Sequence, residues 1–170
     1  MGNAPAMDRA QALELIRSGS ATGADLRGVD LSGADLSGVR LSHADLSGAN
    51  LREANLRETI LDEADLSGAD VSGANCEFVV LGGADVSDAD FTGANLQRAN
   101  LVGTRGHRAR FDRANLYYSR PGNADFQGAS FRGADITRAI FRRANLSGAD
   151  LRGAEGQANF ESATLEGVRR

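Results

Sequence analysis

Apolar residues recur at every fifth position through most of this chain. From residue 24 the sequence reads ADLRG, VDLSG, ADLSG, VRLSH and ADLSG, and the centre of each unit recurs without slippage from Leu26 to Leu151. Neither the 3.6-residue period of a helix nor the two-residue period of a strand describes this stretch. The twenty-six consecutive units therefore predict a repeat protein built from one small structural element.

Each unit has the pattern of a short extended segment followed by a turn. Alternate side chains of an extended segment point to opposite faces, so the Ala and the Leu point inward and the Asp or Asn between them points outward. The unit often ends in Ser-Gly, which suits a tight turn. One unit cannot bury its own apolar face, so the units must stack, and each buried Leu contributes about 1.5–3 kcal/mol.

The exceptions to the repeat show how many units make one coil. The outward position is neither Asp nor Asn in eight units, and five of these exceptions differ by twenty or its multiples: Arg40, Ile60, Val80, Arg120 and Ile140. Four sides per coil predict an all-β solenoid in which residues twenty apart lie over one another. The units then correspond to about six to seven coils, a rod of roughly 31 Å at ~4.8 Å per layer.

These tandem A(D/N)LxG units resemble the pentapeptide-repeat family, and the resemblance covers residues 24–153. It implies a right-handed quadrilateral β-helix. Residues 1–23 are expected to form an N-terminal segment with a short capping α-helix over 8–18, where Asp8 suits the helix start. Residues 154–170 lose the register and are expected to form a degenerate final coil and a C-terminal tail.

Composition argues against several classes of protein. There is no run of eighteen apolar residues for a membrane span, and the N-terminus does not have the pattern of a signal peptide. Cys76 is the only cysteine, so an intramolecular disulfide is excluded and the reducing cytoplasm is the expected compartment. The acidic residues are repeat positions, and His43 and His107 lie more than three coils apart. We therefore expect no enzyme, no cofactor and no metal site.

Two departures from the repeat mark candidate interaction surfaces. The first is an apolar patch of Ile60, Val80 and the corner residue Phe78, although β-branched residues also suit an extended backbone. The second is the coil over 104–123, in which a Gly and a Pro replace apolar centres; a tolerated irregularity is the alternative explanation. Its candidate contact residues are Arg105, His107, Arg108, Arg110, Arg113, Tyr117, Tyr118 and Arg120.

Charge is distributed unequally along the chain. Residues 1–97 carry sixteen acidic residues and six arginines, whereas residues 98–170 carry seven acidic residues and thirteen arginines. On a four-sided rod, Arg113, Arg132 and Arg152 are expected to stack on one side. Such a column would suit an acidic partner, the acidic half of another copy or a phosphate backbone, so direct nucleic-acid binding is one candidate function. A solvated surface balanced by neighbouring acids is the alternative.

The leading interpretation is a non-enzymatic scaffold that binds an unknown protein partner through its outer surface. The resemblance implies an alternative, because some family members are dimeric rods that mimic duplex DNA, bind DNA gyrase or topoisomerase IV and protect them from poisons. An acidic column at coil spacing fits such mimicry, whereas the basic second half does not. The column consists of Asp25, Asp45, Asp65 and Asp85, and the candidate contacts of a C-terminal homodimer are Phe160, Leu165 and Val168.

Overall fold

The chain forms a solenoid in which each coil pairs with the coils before and after it. A computed structural model describes residues 7–170, so the first six residues of the predicted N-terminal segment lie outside the described residues. Parallel bridges join outward residues twenty positions apart, from Asp25↔Asp45 to Asp135↔Glu155. Each bridge is a single residue rather than a longer strand, because a two-residue turn follows within every unit.

The bridged residues define four sides of the solenoid. The first side carries Asp25, Asp45, Asp65, Asp85, Arg105, Asp125 and Asn145; the second Asp30, Asn50, Asp70, Asp90, Arg110, Ser130 and Asp150; the third Asp35, Asn55, Asn75, Asn95, Asn115 and Asp135; the fourth Arg40, Ile60, Val80, Asn100, Arg120 and Ile140. The fourth side differs from the others because apolar residues and arginines replace most of its Asp and Asn.

The outward Asp or Asn has a structural role at the corner that follows it. In the unit 44–48, the backbone N–H groups of the central and last residues donate hydrogen bonds to the following coil. The N–H of the outward residue donates to the preceding coil, and that of the first residue donates across the preceding turn. The remaining N–H, that of Ser47, donates to Oδ1 of Asp45 at 3.0 Å. Asn50 accepts from Arg52 N–H in the same way. Because either side chain supplies the oxygen, Asp and Asn alternate freely in the repeat.

The inward positions form one continuous apolar core. In the second half of the chain this core is rich in phenylalanine: Phe111 stacks between Phe91 and Phe131 on the second side, with ring centroids 5.1 and 4.9 Å apart. Gly106 occupies a central position on the first side, and a Cβ there would lie 2.6 Å from ring carbons of Phe126. The glycine thus leaves room for the ring in the next coil, so packing explains this break in the repeat.

Among residues 7–170, one helix precedes the solenoid. Helix α1 spans Arg9–Arg17, and Asp8 at its N-terminus accepts a hydrogen bond from Gln11 N–H at 2.8 Å, while Gln11 Oε1 accepts from Asp8 N–H at 3.0 Å. This reciprocal pair satisfies two N–H groups of the first turn. The helix buries Ala12 and Ile16 against the apolar core. Within residues 7–170, no helix is both long enough and apolar enough to cross a membrane.

The register changes by one residue near the C-terminal end. Ile140 pairs with Asn159, which is nineteen rather than twenty residues further along the chain. The register is still regular at Gln157, whose carbonyl oxygen accepts from Arg138 N–H, so one residue is lost between Gln157 and Asn159. Just before this point, Gly156 has a φ of 88°, and an added Cβ would lie 2.7 Å from the Cα of Thr137. Only glycine tolerates that backbone and that close approach. Residues 155–169 therefore form a further bridged coil with one residue deleted.

Candidate interaction surface

The unusual coil over 104–123 does not gather its side chains into one cluster, because it passes across all four sides. Arg105 lies on the first side and Arg110 on the second. Tyr118 lies at the corner between the third and fourth sides, and Arg120 lies on the fourth. The residues grouped by sequence position are thus distributed around the rod, and each belongs with its neighbours in the coils before and after it.

Three arginines on the first two sides pair with aspartates of the preceding coil. These three pairs each join residues twenty apart: Arg105 with Asp85, Arg108 with Asp88 and Arg110 with Asp90. The Arg108 guanidinium, through its hydrogen bonds, lowers the pKa of the Asp88 carboxyl. His107 faces the following coil, with Nε2 2.8 Å from Oδ2 of Asp125. Such pairs leave little free positive charge on these arginines for a partner.

The predicted basic column is offset by one residue. Arg132 and Arg152 lie one coil apart, but the residue twenty before Arg132 is Asp112, whose Oδ1 accepts a hydrogen bond from Arg132 N–H at 3.1 Å. Arg113 lies in the neighbouring column. Arg152 is bound by Asp150, with Nε 2.9 Å from Oδ1. Carboxylates therefore lie within this surface. The predicted column of three arginines was wrong for Arg113, which lies one residue out of line with Arg132 and Arg152.

Aromatic and arginine side chains alternate along the corner between the third and fourth sides. The Cζ of Arg98 lies 5.6 Å from the ring centroid of Phe78 and 6.0 Å from that of Tyr118. The Cζ of Arg138 lies 5.1 Å from the ring centroid of Tyr118, and the Arg138 guanidinium donates a hydrogen bond to the Tyr118 hydroxyl oxygen. Tyr117 packs edge-on against Tyr118 at 4.9 Å. Cation–π attraction therefore links four successive coils at this corner.

These four corner residues occupy a backbone conformation that favours glycine. Phe78, Arg98, Tyr118 and Arg138 have φ values of 58°, 58°, 55° and 59°. A residue with a side chain costs roughly 1–2 kcal/mol in this left-handed region. The cation–π contacts offset part of that cost, and the result is a row of large side chains raised on one edge of the rod.

The predicted apolar patch is a narrow strip on the fourth side. Ile60 and Val80 are bridged neighbours, and both are half-buried. Phe78, at the adjacent corner, lies between Arg57 and Arg98, each with its Cζ 5.6 Å from the ring centroid. The guanidinium groups of Arg57 and Arg98 therefore border the strip, which is narrower than the apolar patch predicted from the sequence.

The fourth side brings the two sequence-derived candidates together. Its outward column contains Ile60 and Val80 from the patch and Arg120 from the unusual coil, and Tyr118 stands at its edge. We call the outward column from Arg40 to Ile140, with the corner column from Phe78 to Arg138, the fourth-side surface. Sequence reasoning missed one exposed member of this side, Val102, although an apolar residue at the first turn position is a visible departure from Ser.

Titratable groups outside this surface include a buried thiol and a carboxylate held at a corner of the coil. Among residues 7–170, no three His, Cys, Asp or Glu side chains converge as metal ligands. Cys76 lies in the core, and burial raises the pKa of its thiol to about 12. Hydrogen bonds from Arg27 to Asp25 lower the pKa of that carboxyl to about 2. These shifts arise from core burial and from corner hydrogen bonds.

A sequence model described as Pentapeptide repeats matches this chain in eight copies. The matched segments are 20–52, 40–75, 72–105, 89–120 and 122–155. No curated protein sequence matches the chain.

Several solved structures are similar to the chain. A trypsin-treated form of QnrB1, a plasmid-mediated fluoroquinolone resistance protein, is 27% identical over 88% of this chain and 84% of its own, with a TM-score of 0.50. HetL, a pentapeptide repeat protein involved in heterocyst differentiation regulation in the cyanobacterium Nostoc sp. strain PCC 7120, is 28% identical over 95% and 96%, with a TM-score of 0.34. A pentapeptide repeat protein from the Arabidopsis thaliana thylakoid lumen is 30% identical over 75% and 72%, with a TM-score of 0.26.

Proposed function

Since the chain belongs to the pentapeptide-repeat family, we propose that it is a non-enzymatic protein-interaction scaffold. It is a right-handed quadrilateral β-helix of about six to seven coils with α1 as its N-terminal cap. It acts in the cytoplasm, where the single Cys76 stays reduced. The observation that supports this most is the ladder of bridges twenty residues apart, because it holds distant side chains in rigid columns.

The fourth-side surface is the part of the rod that the scaffold presents to its partner. On the first and second sides, arginines such as Arg105 and Arg110 are paired with aspartates of the preceding coil. Within residues 7–170, Arg40 and Arg120 on the fourth side have no acidic partner, and they lie in the same column as Ile60 and Val80. Arg and Tyr dominate the energetics of protein interfaces. Unpaired guanidinium groups beside apolar and aromatic side chains therefore favour this side.

A pull-down tests the fourth-side surface. The purified protein, crosslinked in native lysate, is expected to capture a specific partner, and Tyr118→Ala with Arg120→Ala is expected to reduce its recovery about tenfold or more, because such residues carry large shares of binding energy. Arg108→Ala with Arg110→Ala is the matched control on other sides and should retain the partner. Equal loss in both variants, or in neither, would contradict the proposal.

A DNA-mimicking binder of gyrase is the second candidate. It is supported by the likeness to a fluoroquinolone resistance protein and by the first side, where Asp25, Asp45, Asp65 and Asp85 are bridged in succession. Arg105 follows in the same column and binds Asp85, which weakens the mimicry. Gyrase among the captured proteins, together with inhibition of its supercoiling activity by the purified chain, would favour this candidate over an unrelated partner.

We also propose a homodimer through the C-terminal end. Phe160, Leu165 and Val168 are half-buried there, and the Phe160 ring stacks on Phe141 with ring centroids 5.3 Å apart. A second copy would cover these apolar groups. Sedimentation equilibrium is expected to give twice the mass of one chain, and Leu165→Arg to give the mass of one, whereas Val102→Ser should remain dimeric. A monomeric unmodified protein at micromolar concentration would contradict the dimer.

A further inference from the structure

A groove of about 190 Å³ opens where the fourth side turns into the first. In the corner column here, Gly122 lies between Val102 and Arg142, so the middle coil contributes no side chain. A Cβ at Gly122 would lie 3.5 Å from the carbonyl oxygen of Arg142 and 3.8 Å from that of Ile140, and the backbone is not left-handed. The fold does not require glycine at this position. Its effect is to leave a space, which we call the Gly122 groove.

The walls of the Gly122 groove are apolar and exposed. Val102 is 42% exposed and Ile140 is 38% exposed, and among the large apolar side chains of residues 7–170 only Tyr118 is comparable. Apolar groups that line a depression lose unfavourable contact with water when a ligand fills it. The groove has room for one large apolar side chain and is too small for a folded element.

The backbone ladder is broken beside the groove. Of the outward positions from Asp25 to Arg169, one expected bridge is missing, that between Arg120 and Ile140. In a regular unit the central residue donates its N–H to the next coil, but the centre here is Pro121, which has no N–H. The Ile140 carbonyl consequently has no hydrogen-bond donor within residues 7–170, while Ile140 N–H still donates to Ser119. This carbonyl oxygen lies beside Gly122, 3.8 Å from the position of an added Cβ.

The rim of the groove carries an excess of positive charge. Arg120 and Arg143 line it, and within residues 7–170 neither has an acidic partner. Arg142 also lines it and pairs with Glu161, with Nε 3.5 Å from Oε2. Guanidinium groups bind carboxylates through charge-assisted hydrogen bonds, which are about twice as strong as neutral ones. Two arginines that are free to bind carboxylates therefore line the same groove as the exposed apolar side chains.

We propose that the Gly122 groove binds an acidic peptide segment of the partner protein, in which one large apolar side chain is flanked by carboxylates. The apolar side chain packs on Val102 and Ile140, and the carboxylates bind Arg120 and Arg143. This inference rests on the proposed scaffold function and specifies the chemistry of the partner. A nucleic-acid backbone would satisfy the arginines but would leave the apolar walls unfilled, so charge and shape together favour a peptide.

Fluorescence anisotropy with a defined probe tests the groove. The probe is a labelled peptide with the sequence Gly-Glu-Asp-Leu-Asp-Glu-Gly, and we expect saturable binding to the full chain. Gly122→Val fills the groove with a side chain that the backbone accepts, and it should weaken binding about tenfold or more, as should Arg120→Gln with Arg143→Gln. Arg113→Gln with Arg132→Gln removes the same charge elsewhere and should leave the affinity within about twofold.

Three results would overturn the proposal. The first is equal binding of a probe in which alanine replaces the leucine, and the second is equal weakening by the Arg113 and Arg132 control. The third is displacement of the probe by a DNA oligonucleotide of equal charge at lower concentration than by unlabelled peptide, which would assign the groove to nucleic acid. Lysate capture distinguishes the two proposals. If a partner is captured but the probe does not bind, only the proposed peptide-binding role of the groove is refuted. If the probe binds but no partner is captured, only the proposed scaffold function is refuted.

Discussion

Replacement of Phe111 by alanine is expected to lower the free energy of unfolding by about 3–5 kcal/mol. The ring is fully buried and lies between Phe91 and Phe131, at 5.1 and 4.9 Å, with Phe126 edge-on at 5.4 Å. These neighbours belong to the coils before and after it, so truncation opens a cavity within three stacked layers. The surrounding backbone is bridged coil to coil and cannot close around the cavity without breaking hydrogen bonds.

Urea denaturation followed by circular dichroism measures this loss. Phe111→Leu keeps most of the volume and should cost less than about 1.5 kcal/mol, and Val102→Ala, at an exposed position, should change stability by less than about 0.5 kcal/mol. Because each coil contacts only its neighbours, amide exchange should increase most in the coils around Phe111 and least around Leu31. A Phe111→Ala variant no less stable than Val102→Ala would show that the ring does not stack between coils.

The architecture was predictable because the same five-residue pattern of apolar and polar positions recurs many times along the sequence. Each unit independently reports the period of five, so single exceptions such as Gly106 do not disturb the register, and membership of the repeat family is confirmed. The cause of the Asp and Asn preference was not predictable, because it depends on one corner N–H finding a side-chain oxygen. From composition alone, Asp and Asn residues that bond a corner N–H look the same as Asp and Asn residues on a surface that binds a partner.

The candidate surfaces were predictable only in part, because a side-chain partner depends on the exact column. Exceptions at multiples of twenty correctly marked one side as unusual, and they place Ile60 and Arg120 in the same column. The pairing of Arg105 with Asp85 could have been found by subtracting twenty from the residue number. Residue numbers also exclude contacts. Arg113 lies nineteen residues before Arg132, one fewer than a full coil, so the two arginines lie in neighbouring columns.

Gly106 shows how packing can imitate a functional signal. A glycine at an apolar centre breaks the repeat, and the sequence alone suggests a site. In the structure, the absence of a side chain at Gly106 leaves space for the large ring of Phe126 in the next coil. Val86, in the coil before, would lie 3.2 Å from an added Cβ through its Cγ2. Gly106 and Phe126 therefore compensate each other in volume and are one feature of the core.

Gly106→Ala is accordingly expected to destabilise the protein by about 1–3 kcal/mol, because the new methyl group would overlap the Phe126 ring. At an ordinary backbone conformation, Gly→Ala usually stabilises by about 0.4–1 kcal/mol. Gly82→Ala provides that control, since its Cβ would lie 3.7 Å from the nearest atom, the carbonyl oxygen of Val102. The two glycine variants should therefore change the urea midpoint in opposite directions.

A double-mutant cycle with Phe126→Leu identifies the cause of the Gly106→Ala loss. Phe126→Leu alone leaves a cavity and lowers stability, whereas in the double variant the added methyl group occupies part of that cavity. The double variant should therefore lose less than the sum of the single losses, by about 1 kcal/mol or more. Additive losses would mean that the residue at 106 and the ring at 126 do not share one space, and the irregular coil would then need an explanation outside the core.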